Sequence, residues 1–286
     1  MFSENVLALS DQAATRMAMQ KRSLPAHLVR SMLAGMYVGA AIALIFTVGS
    51  YLPPESRRLL MGVCFGGALT IVIFAGSDLF TGFNLILTLG VLTRKATWRD
   101  LLSNWLWTWI GNLAGSVLLA VIVIRSGVMN ADPVKSFVLG LVDTKMNIPE
   151  EQLFWRAVLA NWLVCLGVWM AARIKDETAR IIMIWWCMFT FITCGYEHSI
   201  ANMFGLMLGV LLPHESVPGI SLGGYAYNLG WATLGNIVGG AFFVAGMYWL
   251  GSPKVREQVR AEKLQHLNGF NGAVEVEQGN ALVNAR

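Results

Sequence analysis

Charged side chains are scarce in this sequence: only 13% of its 286 residues are Asp, Glu, Lys or Arg, against about a quarter in soluble domains. Hydrophobic residues make up 56% of the chain, and the mean hydropathy is +0.57. Three stretches, 31–54, 101–124 and 216–253, contain no charged residue at all. Each is longer than the roughly 20 residues that a helix needs to cross a bilayer core about 30 Å thick. The composition excludes a soluble globular domain and predicts an all-α integral membrane protein.

Residues that carry metal or redox chemistry are also few. The chain has four cysteines, Cys64, Cys165, Cys187 and Cys194, all in apolar segments and without the spacing of a metal site. Of its four histidines, only His198 falls in the middle of a predicted span, which excludes a haem held by two histidines. A Walker-type glycine loop and a zinc motif are also missing, which argues against an ATP-driven pump and a metalloprotease. We therefore expect no cofactor, no metal and no enzymatic activity.

The Lys and Arg residues are scattered around span ends and form no basic patch, although the formal net charge is +4. This distribution argues against nucleic-acid binding and reports on membrane topology instead. With the N-terminus inside, fifteen of the 21 Lys and Arg residues fall on the inner side and the other six on the outer side. We predict a multi-pass protein of the cytoplasmic (inner) membrane, surrounded by the lipid bilayer, with both termini in the cytoplasm.

The hydrophobic pattern predicts six membrane spans. A loop with the turn signals "ADP" and "NIPEE" is expected between the third and the fourth. Spans two and five are too long for a single crossing, and "GSDLFTG" (76–82) and "GYEHS" (195–199) interrupt them. Both therefore resemble two half-helices joined at membrane depth, which is tolerated only where protein or a wet cavity surrounds the break. The six spans are 31–52, 59–93, 103–124, 155–172, 180–212 and 226–250.

The spans form one predicted channel domain, residues 25–252, flanked by two polar segments. Residues 1–24 lack the apolar core of a signal peptide, and we expect a cytoplasmic amphipathic surface helix there. The tail, 253–286, is rich in polar residues and is expected to be disordered. The apolar face of the N-terminal helix consists of Val6, Leu9, Ala13 and Met17.

A weak internal repeat relates the two halves of the channel domain. Three matches occur in chain order at the similar offsets of 126, 119 and 124 residues. The repeat unit holds three spans, an odd number, so the second copy must be inverted in the membrane. Inverted repeats with helices broken near the midplane are typical of transporters and channels, with the solute site at the break. The matching segments are 33–39 with 159–165, 76–78 with 195–197, and 110–115 with 234–239.

Ionisable side chains at the two breaks are the first candidates for function. An intramembrane ionisable residue favours a place on the solute path, and a histidine titrates near neutrality. We interpret His198 as the working group and Glu197 as its support, against the alternative that both only tie down the broken helix. Asp78, at the other break, is expected to cap the half-helix that follows. Thr81 could cap that helix too, or hydrogen-bond the histidine, and the sequence leaves both open.

Asn112, Asn161 and Asn236 lie inside predicted spans. For Asn112 we favour close helix packing, with the amide bonded across an interface. Asn161 and Asn236 could pack in the same way or point donors at a solute. The half-helix N-termini carry positive partial charge, which suits an anion. A histidine between them could lend a proton to a weak-acid anion, and the neutral acid crosses an apolar constriction far more easily.

Four motifs together resemble the formate/nitrite transporter family, and the resemblance covers roughly residues 25–252. The segments 34–50 and 184–203 are most similar to the nitrite-channel branch. The resemblance implies an aquaporin-like protomer of two inverted three-helix repeats, a homopentamer, and one pore for small anions in each protomer. The motifs are "AGSDLFTG" (75–82), "NWLVCLGVWMA" (161–171), "CGYEHSIANM" (194–203) and "LGNIVGG" (234–240).

The family pattern also implies roles for particular residues. His198 matches the central histidine, Thr81 the threonine that hydrogen-bonds it, and Glu197, Asn161 and Asn236 match polar residues around it. Lys145 matches a basic residue at the outer mouth by its spacing. The remaining matches form two constrictions, Leu79, Phe80 and Val164 on the cytoplasmic side and Phe65 and Phe191 on the periplasmic side.

These features predict a channel for small monovalent anions, nitrite first, with formate or hydrosulfide as alternatives from the same family. A water or ammonia pore is the alternative from another class. Ammonia channels tend to use a histidine pair and water channels carry twin Asn-Pro-Ala loops, neither of which is present. A membrane scaffold without transport would not need an ionisable pair within a span.

Overall fold

The computed structural model describes residues 2–262 and 264–265, and within them the protein is helical with no strand. The helices are α1 (Ser3–Arg22), α2 (Leu24–Ser50), α3 (Pro54–Phe65), α4 (Gly67–Phe74), α5 (Phe80–Leu92), α6 (Trp98–Ser126), α7 (Val134–Met146), α8 (Glu150–Arg173), α9 (Glu177–Thr193), α10 (Ser199–Leu211), α11 (Leu222–Ile237), a π-helix (Val238–Gly246), α12 (Met247–Leu250) and α13 (253–262).

Five helical segments are long and apolar enough to cross a membrane. Two shorter apolar helices, α5 and α10, accompany them. The expected multi-pass, all-helical membrane architecture is therefore borne out at this level. The five long segments are Leu24–Ser50, Pro54–Phe74, Trp98–Ser126, Glu150–Arg173 and Leu222–Leu250.

Both predicted interruptions are present as non-helical segments of equal length, 75–79 between α4 and α5 and 194–198 between α9 and α10. Each contains a glycine in the left-handed region, Gly76 and Gly195, both with φ of +73°. A side chain would be strained at that φ, so glycine allows the chain to leave the first half-helix. The breaks place the first residues of α5 and α10 in the interior of the protein.

Two helix pairs form the frame that holds the breaks. Helix α2 packs along α6, and α8 packs along α11. The backbones approach closely: a Cβ on Gly35 would lie 2.1 Å from the Asn112 carbonyl oxygen, and one on Gly239 would lie 2.3 Å from the Val158 carbonyl oxygen. Small residues allow this approach, which is the usual basis of helix association within membranes.

Helix α1 is not a free surface helix. The four apolar residues predicted to share a face, Val6, Leu9, Ala13 and Met17, are all buried in a cluster with residues of α5. Protein, rather than a lipid surface, covers this face. The side chain of Asn5 also donates to the Trp169 carbonyl oxygen at 3.1 Å, which anchors α1 to α8.

The expected loop between the third and fourth spans contains a helix instead. Helix α7 runs over Val134–Met146. The sequence did not predict it, because the turn signals at its two ends indicated a loop. Val134, Val138 and Val142 recur every four residues and are buried. This spacing makes one apolar face, which packs against α10 and α2.

The tail differs from the expectation of disorder at its beginning. Residues 253–262 are helical, and Val255 and Val259 are buried beside α1 and α5. Two apolar residues four positions apart anchor this helix, although the overall composition is polar. The remainder of the predicted disordered tail, 266–286, lies outside the described residues.

Candidate functional site

His198 lies at the second break with only 4% of its surface exposed. Its ring Nδ1 accepts the Ala201 backbone N–H at 3.1 Å, so the side chain caps the N-terminus of α10. The other nitrogen, Nε2, lies 2.9 Å from Thr81 Oγ1. A nitrogen that accepts a hydrogen bond carries no proton, so this geometry assigns the neutral ring with its proton on Nε2.

Thr81 lies in the first turn of α5 and is fully buried. Of the two alternatives left open by the sequence, the structure places its hydroxyl against the histidine of the opposite break. The N-terminus of α5 is not capped by a side chain of its own N-cap residue, Leu79. The contact between Thr81 and His198 therefore joins the two breaks directly.

Glu197 is buried beside the histidine and is paired. Lys145 Nζ, from the last turn of α7, lies 2.7 Å from both carboxylate oxygens. Asn202 Nδ2 donates to the same carboxylate at 2.7 Å and also to Asn228 Oδ1 at 2.8 Å. A buried charge is tolerated when it is paired and hydrogen-bonded in this way. The sequence did not single out Asn202 or Asn228, since neither lies in a break.

Asp78 does not cap α5 as expected. Its fully buried carboxylate contacts Arg16 at 2.6 Å, Arg30 at 2.9 Å and His27 Nδ1 at 3.1 Å. The free backbone N–H of Phe80, at the start of α5, is bound by the Asn112 side chain instead. The local rule for capping failed here because the guanidinium groups of Arg16 and Arg30 and the ring of His27, from α1 and α2, bind the carboxylate instead.

Asn112 fixes the first break through all of its amide atoms. Its Oδ1 accepts the Phe80 N–H at 3.0 Å, and its Nδ2 donates to the carbonyl oxygens of Ser31 and Asp78 at 2.7 and 2.9 Å. This agrees with the packing role favoured for Asn112. One buried amide therefore satisfies two backbone groups of the break and also bonds to α2 through the Ser31 carbonyl oxygen.

Asn236 makes the same three bonds at the second break. Its Oδ1 accepts the Ser199 N–H at 2.8 Å, and its Nδ2 donates to the carbonyl oxygens of Ala157 and Glu197 at 2.8 and 3.1 Å. The two amide hydrogens are therefore occupied by backbone. Of the two alternatives that the sequence leaves open for Asn236, this geometry agrees with packing.

Asn161 also faces protein rather than a cavity. Its Nδ2 donates to Asn84 Oδ1 at 2.9 Å and to the Asn236 carbonyl oxygen at 2.6 Å, and it also lies 3.3 Å from the Thr81 carbonyl oxygen. These contacts connect α8 to α5 behind the histidine. Asn84 was not predicted, because a lone asparagine in an apolar helix gave no signal of its own.

Three cavities follow one another through shared lining residues, and His198 lines two of them. A cavity of about 380 Å³ is lined by Lys145, Glu197, Phe191 and His198. A second cavity of about 150 Å³ lies on the α1 side and is lined by Leu79 among others. Between them is a void of about 10 Å³, which is room for about one water at most.

The residues around the central void include three of the five predicted constriction residues. Phe65 and Phe191 lie with ring centroids 5.5 Å apart, and both line the void together with Leu79 and His198. Leu79 also lines the cavity on the α1 side, so it separates the two spaces. Leu69 also lines both the void and the cavity on the α1 side. The sequence did not predict it, because a leucine in a span carries no distinguishing signal.

Phe80 and Val164 are buried but do not line any of these three cavities. Phe80 packs against Trp105, with a centroid distance of 6.2 Å. Its side chain therefore packs on α6 and not toward the cavities, although the preceding residue, Leu79, lines two of them. The structure brings Leu79 to the narrow point but not Phe80 or Val164.

Comparison with known proteins gives consistent matches. A family model described as formate/nitrite transporter matches residues 3–250. The nitrite transporter NirC of Escherichia coli (strain K12) is 40% identical over 259 residues, which cover 91% of this chain and 96% of that protein.

Two solved structures are also similar. One, titled FNT family ion channel, is 40% identical with a TM-score of 0.83 and covers 87% of this chain and 98% of its own. Another, titled pentameric formate channel with formate bound, is 28% identical with a TM-score of 0.67 and covers 80% of this chain and 98% of its own.

Proposed function

The chain belongs to the formate/nitrite transporter family, and from this membership we propose that it is a membrane channel for small monovalent anions, nitrite first. One observation carries the proposal beyond the family. His198 is the titratable side chain that lines both the central void and the 380 Å³ cavity, while Leu79 lines both the void and the 150 Å³ cavity. A solute moving between those cavities must pass the histidine.

The void itself favours a neutral form of the solute. It is lined by Phe65, Phe191 and Leu79, which cannot replace the hydration shell of an anion. Moving an unpaired charge into such surroundings is very costly. A proton taken up with the anion removes this cost, because a weak acid crosses as a neutral molecule.

His198 supplies that proton only after a change of state. In the present geometry the ring is neutral, and its Nδ1 is occupied by the Ala201 N–H. A second proton on Nδ1 must break that cap, which costs about 1 kcal/mol. An anion beside the ring, in the 380 Å³ cavity that His198 also lines, offsets the new positive charge. We therefore expect anion and proton to arrive together, the imidazolium to protonate the anion, and the ring to return to its capped neutral state.

The six-span topology and the inverted repeat belong to this proposal. The repeat is supported by Asn112 and Asn236, which make equivalent bonds to residues 31, 78 and 80 and to residues 157, 197 and 199. These pairs differ by 126, 119 and 119 positions, close to the offsets of the sequence matches. The proposed topology has the six spans that the sequence predicts, with both termini in the cytoplasm and the inner membrane as its location.

We also propose a homopentamer with one pore in each protomer. The similar structure titled pentameric formate channel supports this assembly. Large apolar side chains are exposed on the long helices, for example Leu106 on α6 and Phe242 on the π-helix, at 55% and 60% exposure. Lipid and neighbouring protomers are the surroundings that fit such a surface. Formate is the alternative substrate, because that similar structure binds it.

The experiment that tests the function is anion uptake by proteoliposomes containing the full chain. Nitrite, formate, nitrate and water are compared at several pH values, with protein-free liposomes as control. We expect nitrite uptake above the control, faster at lower pH, and little nitrate uptake because nitrate is the anion of a strong acid. Water movement without any anion uptake would overturn the proposal in favour of a neutral-solute pore.

A further inference from the structure

Arg16, on helix α1, lines the 150 Å³ cavity next to Leu79. Its Nη1 lies 2.6 Å from one oxygen of Asp78, and Arg30 Nε lies 2.9 Å from the other. His27 Nδ1 contacts the second oxygen at 3.1 Å. Two guanidinium groups therefore face one carboxylate, which leaves a surplus of one positive charge even when His27 is neutral.

This surplus is not balanced nearby within the described part of the chain. There, the ion pairs of Arg16 and Arg30 are formed with Asp78 alone, and Arg30 Nη2 is buried without a hydrogen-bond partner. The cavity wall beside Arg16 is mostly apolar, with Leu69, Val72 and Phe83. A positive charge beside an apolar cavity is best compensated by an anion small enough to enter it.

The other half of the protein has a comparable arrangement. Glu197 lies in the second break, its backbone N–H donates to the Arg156 carbonyl oxygen at 3.2 Å, and its side chain binds Lys145 of α7. Asp78 N–H donates to the Arg30 carbonyl oxygen, also at 3.2 Å.

Helices α1 and α7 thus each bring one cation to the acid of a break. That cation also lines the cavity on its own side: Arg16 lines the 150 Å³ cavity and Lys145 the 380 Å³ cavity.

We propose that Arg16 forms a second binding site for the small monovalent anion, in the cavity on the α1 side of Leu79. The inference rests on the proposed function, since the anion held there is the one that passes His198. Arg16 keeps its contact with Asp78 through Nη1, and its remaining N–H groups are available to the anion. Helix α1 is then part of the conduction path, and its docking on α5 positions the guanidinium.

The first measurement is nitrite uptake by proteoliposomes with the full chain, driven separately from the α1 side and from the α7 side, over a range of nitrite concentrations. Arg16→Gln should raise the half-saturating concentration from the α1 side by at least about fivefold and weaken its dependence on ionic strength. Arg16→Lys should retain most of the affinity. Arg22→Gln is the matched control, because Arg22 is exposed on the same helix and does not line the cavity.

A double variant separates binding from a purely structural ion pair. Removing Arg16 leaves Asp78 with Arg30 and His27, so Arg16→Gln is expected to fold. If Arg16 serves only to neutralise Asp78, then Arg16→Gln with Asp78→Asn will restore the wild-type half-saturation, and the proposal is overturned. If the double variant remains weak, the guanidinium itself binds the anion.

A second readout is independent of transport. Sodium nitrite should raise the unfolding temperature of the purified protein in detergent, relative to sodium gluconate at equal ionic strength, and Arg16→Gln should reduce that increase. An increase in the wild type without any nitrite uptake would refute the proposed function while retaining the site. An equal increase in both proteins would refute the site.

Discussion

His198 Nε2 and Thr81 Oγ1 lie 2.9 Å apart, and this contact joins the two broken helices at the centre of the protein. Each residue belongs to the start of a half-helix: Thr81 is in the first turn of α5, and His198 is the N-cap of α10. One bond therefore fixes both the orientation of the ring and the relative position of two helix N-termini. The ring faces a void lined by aromatic and aliphatic side chains.

The first prediction concerns His198→Asn. Asparagine is a good N-cap residue, so the variant keeps a side-chain acceptor for the Ala201 N–H while losing the titratable ring. We expect normal assembly and loss of the pH dependence of nitrite uptake. The measurement is nitrite uptake at a series of pH values, with the wild-type channel followed in parallel.

His198→Phe is the comparison for this variant. It removes the ring nitrogen and the cap together, so it should lower the free energy of unfolding by about 1 kcal/mol relative to His198→Asn. A His198→Asn channel with an unchanged pH profile would show that another group handles the proton.

The second prediction concerns the partner of the histidine. Thr81→Val has nearly the same shape but removes the hydroxyl, which leaves the Nε2 proton of the buried ring without its acceptor. We expect a loss of about 1–3 kcal/mol in stability, as for other unsatisfied buried groups, together with reduced uptake. Thr81→Ser retains the hydroxyl and should remain close to wild type in both measurements. Equal loss in the two variants would mean that the methyl packing matters and the hydrogen bond does not.

The sequence predicted the family, the membrane class and both helix interruptions. These follow from features with strong local signals: long uncharged stretches, a lone mid-span histidine, and glycines beside an acid. The partnership of Thr81 with His198 was one of two alternatives, because the sequence cannot show which hydroxyl lies opposite the ring. Only the folded arrangement of α5 and α10 decides between them.

Side chains whose partners come from distant segments were not predictable in the same way. Asp78 was expected to cap its own helix, which is a local rule, and it binds Arg16, Arg30 and His27 instead. Asn236 could have packed or pointed its amide at a solute, and the backbone of α8 and of the second break occupies that amide. In each case the binding partner is a charged, imidazole or backbone polar group that a distant segment of the chain supplies.

The third prediction compares the two asparagines that hold the breaks. Asn112→Ala and Asn236→Ala each leave one backbone N–H and two carbonyl oxygens without their side-chain partner. Because both sites are fully buried, each variant should lose several kcal/mol, at about 1–3 kcal/mol for each unsatisfied group. The unfolding temperatures of the two variants should fall by similar amounts. A large effect from one and none from the other would contradict the equivalence of the two halves.

The last prediction concerns Leu79, which separates the central void from the cavity on the α1 side. Leu79→Ala removes most of that side chain and should connect the two spaces. We expect faster nitrite uptake and weaker rejection of nitrate, since a wider and wetter passage no longer requires the neutral acid. Leu85→Ala is the matched control, because Leu85 is fully buried on α5, the helix that Leu79 precedes, and lines none of the three cavities. That control should lose about 2–5 kcal/mol of stability without any gain in flux. If Leu79→Ala leaves the ratio of nitrite to nitrate uptake unchanged, then selectivity is set at Phe65 and Phe191, the aromatic part of the wall of the void.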